Sequence, residues 1–474
     1  MQHYKLNGCS PQSLLFIAAV TQRSWVGRIM RLTCSIPTKN PRCLQSGSSI
    51  VKGDKMNKYY FRLLPVIIGA LFISTGCPSH TGSTGGIILQ GFQKTGDVVD
   101  NLVMTSGDRL YIGWSGVSSG DFMTATSANV YVSAWDGKTL RPLGGVVGNI
   151  LRYAPPPLGD DPLISLGMYN NNPVIAMVDV TGVTVDEWTG SNWNVIGNLP
   201  LEDISDTITA ISSITATSDK LYFAYGESLT TGSTIINVVS YGSTWQSIVS
   251  PVTIAPGSFL ISLDIAMMNG KPVIVWMQGN DGTGKLTIPV SEWNGTQWVS
   301  LSNNMKAYNS PWLMAMGAPL CSITNTPDGI AVMWNEGKPI TDPSLGLLYM
   351  PTGMVSVYNG AQWIQLDDKV NSDYPGIATD SRDAESLQGL AINSKLYVTF
   401  LEMGQVFLAY YNGSGFSYVG NTLNEHPWFS DGYTAYFPNL AGWKGNMYLS
   451  FVEYAIDLNT NAVSSNPVIR EITP

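Results

Sequence analysis

Glu292-Trp293-Asn294-Gly295-Thr296-Gln297-Trp298 sets a glycine between two aromatic residues, and weaker copies of this stretch recur along the chain. They are Trp135-Asp136-Gly137-Lys138-Thr139-Leu140, Trp188-Thr189-Gly190-Ser191-Asn192-Trp193, Tyr241-Gly242-Ser243-Thr244-Trp245, Tyr358-Asn359-Gly360-Ala361-Gln362-Trp363 and Tyr411-Asn412-Gly413-Ser414-Gly415-Phe416. The six glycines stand 53, 52, 53, 65 and 53 residues apart, and each is followed three residues later by Leu, Trp or Phe. A period of about 50 residues marks a repeat architecture. Asn294-Gly295 reads as a two-residue type I′ hairpin turn. That register sets Trp298 opposite Ser291 and makes Trp293 and Trp298 a diagonal cross-strand pair, which packs one repeat against the next.

A second recurring element precedes each glycine motif. Its copies begin at Arg109, Pro173, Lys220, Pro272, Gly329, Lys395 and Asn446, and each is a run such as Pro272-Val-Ile-Val-Trp-Met277. β-Branched and aromatic residues dominate and alternation is weak, so these are strands covered on both faces. Most follow another apolar stretch, such as Leu260 to Ala266. Each unit therefore contains inner strand A, strand B, a variable loop, strand C, a glycine turn and outer strand D. Four-stranded units without helical periodicity between them predict an all-β fold, a seven-bladed β-propeller of antiparallel blades spanning 87–474. The expected blades are 95–145, 160–199, 207–250, 258–302, 313–366, 384–421 and 436–474. The seventh has no glycine turn, so Ile87 to Phe92 is expected to supply its outer strand and close the ring. The body resembles bacterial seven-bladed propellers of the broad kelch, tectonin and lectin-like kind, without the double glycines, Trp-Asp endings or Asp boxes that mark narrower families.

Of 474 residues, 44% are hydrophobic and 12% charged. Residues 78–474 carry 15 basic against 33 acidic side chains, a formal net of −18. That field repels phosphate backbones and excludes nucleic acid as the expected partner. Cys321 is the single cysteine beyond residue 77, and His80 and His426 are the only histidines there. Disulfides, thiolate clusters and histidine-based metal or nucleophilic sites have little to draw on.

Residues 56–76 begin Met56-Asn-Lys58, include Arg62, continue as an apolar run from Leu63 to Ile73, and end in Ser74-Thr75-Gly76 before Cys77. The run is too short to span a bilayer. This segment resembles a bacterial lipoprotein signal peptide, which implies cleavage before Cys77, lipid attachment at that cysteine, and an outer-membrane location in the cell envelope, periplasmic or surface-exposed. Residues 1–55 are then expected to be an upstream extension, with translation starting at Met56. Residues 77–86 form the lipidated cysteine and a Ser/Thr/Gly spacer.

Aligning the B strands on their last aromatic or Met residue reveals a pattern two residues on: Asp179, Glu227, Gln278, Glu336, Glu402 and Glu453, with Gly116 in blade one. The expected arrangement is an acidic ring on the face that carries the B–C loops, recognising a glycan, a basic protein patch or Ca²⁺. Asp160 and Asp161 are the candidate metal pair. The alternative is that these acids accept hydrogen bonds within the loops. The expected function is a monomeric, membrane-anchored, non-catalytic binding module. Competing readings are an envelope-assembly scaffold and a propeller glycosidase, for which no pair of acids stands out.

Overall fold

The computed structural model describes residues 86–90, 92–93, 97–118, 125–151, 163–179, 182–201, 207–248, 251–280, 285–302, 305, 321–342, 346–367, 384–402, 404–420, 423–424, 433–457 and 462–473. The expected leader, Cys77, Asp160 and Asp161 lie outside them. The described residues form seven antiparallel sheets, each built on four main strands named A to D outward. Blade one is Asp97–Ser106, Leu110–Ser118, Ser127–Trp135 and Leu140–Pro142; blade two is Ile164–Tyr169, Asn172–Asp179, Gly182–Trp188 and Trp193–Pro200. Blade three is Thr207–Ile211, Leu221–Ser228, Thr234–Tyr241 and Trp245–Ser247; blade four is Ser258–Met268, Lys271–Asn280, Val290–Trp293 and Trp298–Ser300. Blade five is Cys321–Thr326, Gly329–Asp342, Gly346–Tyr358 and Trp363–Asp367; blade six is Ala384–Ile392, Lys395–Glu402, Gln405–Tyr411 and Phe416–Tyr418.

Blade seven takes Tyr433–Trp443, Asn446–Asp457 and Ala462–Ile472 from the end of the chain and Gly86–Gln90 from its beginning. The last pairing aligns Ile87 with Arg470 and Gln90 with Val468, which is the closure expected from the sequence. Strands A of successive blades touch around the ring, blade two meeting blade three through the short strand Thr215–Ala216, and blade seven returns to blade one. The fold is a seven-bladed β-propeller.

The weak alternation of the B strands has a direct cause. Val273, Ile274, Val275 and Met277 are each 0% exposed because a neighbouring blade covers each face. The apolar clusters therefore fall between blades. One joins Trp114 of blade one to Trp443 and Tyr448 of blade seven, and another joins Val275 and Met277 of blade four to Val332 and Trp334 of blade five.

The glycine turns differ from the sequence expectation. Trp293 pairs directly with Trp298, and Ser291 faces Ser300, so the connection is the four residues Asn294 to Gln297. Asn294 Oδ1 accepts from the amides of Thr296 and Gln297, both at 2.9 Å, and this local ring of bonds replaces a two-residue turn. Asp136, Asn359 and Asn412 repeat the arrangement. The Lys138 and Thr139 amides also hold the Asp136 carboxyl below its usual range. In five of the six glycine turns only the glycine has positive φ, 103° at Gly295, and Gly242 of blade three is the exception. Turns with positive φ at both central residues instead join A to B, at Asn170-Asn171, Asn269-Gly270, Asn393-Ser394 and Lys444-Gly445.

The tryptophans do bind blade to blade, as expected. Trp193 Nε1 donates to the Leu143 carbonyl of blade one at 2.7 Å, Trp245 to Ile196 of blade two at 2.7 Å, and Trp363 to Leu301 of blade four at 2.6 Å. An indole that half-buries its ring and satisfies its single donor against the neighbouring backbone is a staple in both senses.

Candidate functional site

Antiparallel order puts the A–B and C–D turns on one face of the disc and the B–C connections on the other. On the first face the C–D turns of blades one, four, five and six close on their own Asp or Asn side chains. The second is uneven. In blade five the B–C hairpin continues six residue pairs beyond the Glu336–Thr352 pair, from Gly337–Pro351 to Asp342–Gly346. In blade seven it continues four pairs beyond Glu453–Asn466, to Asp457–Ala462. In blade two it closes at once, with Asp179 facing Gly182.

The residues singled out in the sequence lie where the B strands reach this face, but they do not line an open acidic surface. Glu227, Glu336 and Glu453 are 0% exposed and Glu402 is 1% exposed. The B strands run through or end at these positions, so the side chains are enclosed by neighbouring strands instead of projecting from loops. Glu227, Glu336 and Glu453 accept from side chains. Asn237 Nδ2 donates to Glu227 Oε2 at 2.9 Å and Asn466 Nδ2 to Glu453 Oε2 at 3.1 Å. Trp334 Nε1 donates to Glu336 Oε1 at 3.2 Å, and Trp276 Nε1 to Gln278 Oε1 at 2.8 Å. Residues two apart on a strand share a face, so the aromatic residue used to align the strands is itself the donor in blades four and five. Thr184 Oγ1 donates to Asp179 Oδ2 at 2.8 Å on the half-buried rim of blade two. A carboxylate accepts and cannot donate while ionised, so an amide or indole N–H beside it satisfies both buried groups.

Blade one departs from this pattern. Gly116 leaves no side chain at the shared position, and a concavity of about 520 Å³ opens there, lined by Gly116, Val117, Ser118, Ala125, Thr126, Ser127 and Asn129. Asn129 lies directly opposite Gly116, as Asn466 lies opposite Glu453 in blade seven. Beneath it Trp114 and Tyr131 stack with ring centroids 5.6 Å apart.

A second polar layer was not anticipated. Asp264 on strand A of blade four is 5% exposed and accepts from three backbone amides: Ser213 of blade three at 3.0 Å, its neighbour Ile265 at 2.9 Å and Ile323 of blade five at 2.9 Å. Burial pushes its carboxyl upward while the amides pull against that shift. Ser262 Oγ accepts from the Cys321 amide at 2.9 Å and donates to its Sγ at 3.1 Å. Asn101 links blade one to the Leu163 amide of blade two at 3.3 Å, and Ser322 links blade five to the Leu387 carbonyl of blade six at 2.8 Å. The available signal was a polar residue inside an apolar A strand, as Asp264 is in Leu260 to Ala266. The Cys321 thiol, pushed up to about 12 by burial, is held protonated and unreactive. Among the described residues no three His, Cys, Asp or Glu side chains converge to hold a metal ion.

No protein-family model matches the chain, and no curated protein matches it. Solved structures match at low identity. An ulvan lyase of a new polysaccharide lyase family is 10% identical, with 81% of this chain and 95% of that chain covered and a TM-score of 0.46. A fucose-specific lectin from Aleuria aurantia is 12% identical, with 70% and 97% covered and a TM-score of 0.39. A Trypanosoma rangeli sialidase is 11% identical, with 71% and 56% covered and a TM-score of 0.39. The fold rests on the strand pairings above, and likenesses this distant carry nothing on ligand or chemistry.

Proposed function

We propose that this chain is a non-catalytic recognition propeller of the bacterial cell envelope, anchored by a lipid on Cys77 and binding a glycan or protein on the face that carries the B–C hairpins. The observation behind this reading is the difference between the two faces. One carries short turns, four of which close on their own Asp or Asn side chain. The other carries hairpins of unequal length, the longest rising six pairs above the body in blade five. Exposed, variable connections on a rigid scaffold are where recognition residues concentrate. The burial of the B-strand acids also favours binding over catalysis. A glycosidase needs two carboxyls that reach the substrate, whereas Glu227, Glu336, Glu402 and Glu453 are at most 1% exposed.

Replacing residues 339–349 by Asn-Gly tests the reading, because the backbone pairing of its described residues runs within the hairpin. The trimmed protein is expected to melt within about 2 °C of the parent, a difference of less than about 1 kcal/mol. It should lose at least tenfold in capture of glycans on an array, or of a stoichiometric protein partner pulled from detergent extracts of the native host. Full capture by the trimmed chain overturns the hairpin-face assignment. Hydrolysis of a glycan panel, abolished by a single acid substitution, overturns the non-catalytic assignment. For the anchor, intact-mass analysis of membrane-extracted protein is expected to give a chain beginning at Cys77 with added acyl mass. A Cys77→Ser variant should leave the membrane fraction.

A further inference from the structure

We infer that the concavity of blade one is a binding site for a neutral, hydroxyl-rich ligand, a sugar unit being the fitting class, and that the ligand makes the contacts an acid makes in the other blades. The inference narrows the recognition function proposed above to one place and one chemistry. Gly116 is the starting point. It has no positive φ, and a Cβ added there would meet only ordinary contacts, with Asp97 Cβ at 3.6 Å, Asp97 Oδ2 at 3.7 Å and Tyr131 Cε2 at 3.8 Å. Neither backbone strain nor crowding therefore demands glycine. Its consequence is space: the shared position holds a buried glutamate in four other blades and an open cavity of about 520 Å³ here, within the 300–1,000 Å³ range of small-ligand sites.

The polar groups around that space are complementary to hydroxyls. In blade seven Asn466 donates to the glutamate directly opposite it at 3.1 Å. Asn129 stands in the same relation to Gly116, and its side chain is exposed at the cavity. Ser118, Thr126 and Ser127 are exposed around it. Asp97, beside the floor, can only accept while ionised. Among the described residues no cation lines the cavity. An anionic ligand would face Asp97 without compensation, whereas adjacent hydroxyls can donate to Asp97 and accept from Asn129. The stacked Trp114 and Tyr131 hold the floor in place.

Two variants fill the site by different routes. Gly116→Glu installs the side chain that blades three, five, six and seven already carry, opposite an asparagine able to receive it. Thr126→Trp caps the cavity from an exposed position that plays no part in the core. The probe is an array of neutral and acidic oligosaccharides, read with the full folded chain, alongside thermal melts. The expected result is capture of neutral oligosaccharides by the parent and at least tenfold weaker capture by both variants, with Thr126→Trp at the parent's melting temperature and Gly116→Glu below it because its carboxylate stands beside Asp97. Full capture by a folded Gly116→Glu or Thr126→Trp protein overturns the site while leaving a glycan-binding function elsewhere on the hairpin face. Capture of acidic glycans alone overturns the assigned chemistry. Absence of any capture by the parent overturns the inference as a whole, and a protein partner recovered by pull-down would then keep the hairpin-face reading.

Discussion

Asp264 gathers at one carboxylate the backbone amides of three blades, and its environment makes a clear demand on any replacement. Asp264→Asn retains one acceptor oxygen and turns the other into a donor facing an amide. The expected loss is about 1–3 kcal/mol, the cost of leaving a buried donor unsatisfied, measured by urea unfolding. A loss below about 0.5 kcal/mol would mean that the inner layer contributes little to holding the blades. Asp186 presents the opposite case. It is 4% exposed on strand C of blade two, and burial pushes its carboxyl up to about 6. A carboxyl raised on folding favours the folded state while protonated. Its contribution is therefore complete below about pH 4, the unfolded value, and is lost as pH rises through about 6. Melting temperature should consequently fall more steeply between pH 4 and pH 7 in the parent than in Asp186→Asn. Equal slopes would remove Asp186 as the cause.

At the level of elements, the glycine turn illustrates how a correct residue assignment can coexist with a wrong geometry. Asn294-Gly295 is a strong two-residue hairpin signal, yet the Asn294 side chain captures two amides and widens the connection to four residues. The sequence carries both possibilities, and the register of strands C and D chooses between them. Gly295 remains essential for its φ of 103°, and a Cβ there would meet nothing within 4 Å. Gly295→Ala should thus cost about 1–2 kcal/mol purely through backbone strain. The check is a thermal melt against Gly190→Ala, whose φ of 95° and open surroundings predict the same loss. Markedly different losses would show that packing, not strain, controls these turns. The B strands were legible because burial on both faces leaves a run of apolar residues. The inner polar links were not, because an isolated Ser or Asp in an apolar strand identifies no partner in another blade.

For the whole molecule, closure is the decisive event. Gly86–Gln90 lies 372 or more residues in sequence from the strand that it joins, and it completes the seventh blade. Removing residues 86–93 exposes the edge of Ala462–Ile472, including the buried Val468 and Ile469, and frees blade seven from its covalent neighbour at the ring closure. The expected outcome is a drop of at least 10 °C in melting temperature with concentration-dependent association in light scattering. A monomeric truncated chain of unchanged stability would mean that contacts between blades one and seven suffice without the added strand.

The sequence by itself determined the number of blades, their strand order, the apolar B strands, the tryptophan contacts between blades and the closure by the N-terminal strand. All of these follow from local pattern and from a repeat that aligns with itself. Tertiary structure alone decided the meaning of the acids. Their spacing placed Asp179, Glu227, Glu336, Glu402 and Glu453, together with Gln278, at one end of the blades, but burial depends on what the neighbouring strands cover. Four of those acids are enclosed beside amide, indole or strand neighbours, and blade one, with Gly116 at that position, has a cavity there. A linear pattern records where an acid recurs; only packing decides whether it faces solvent or another side chain.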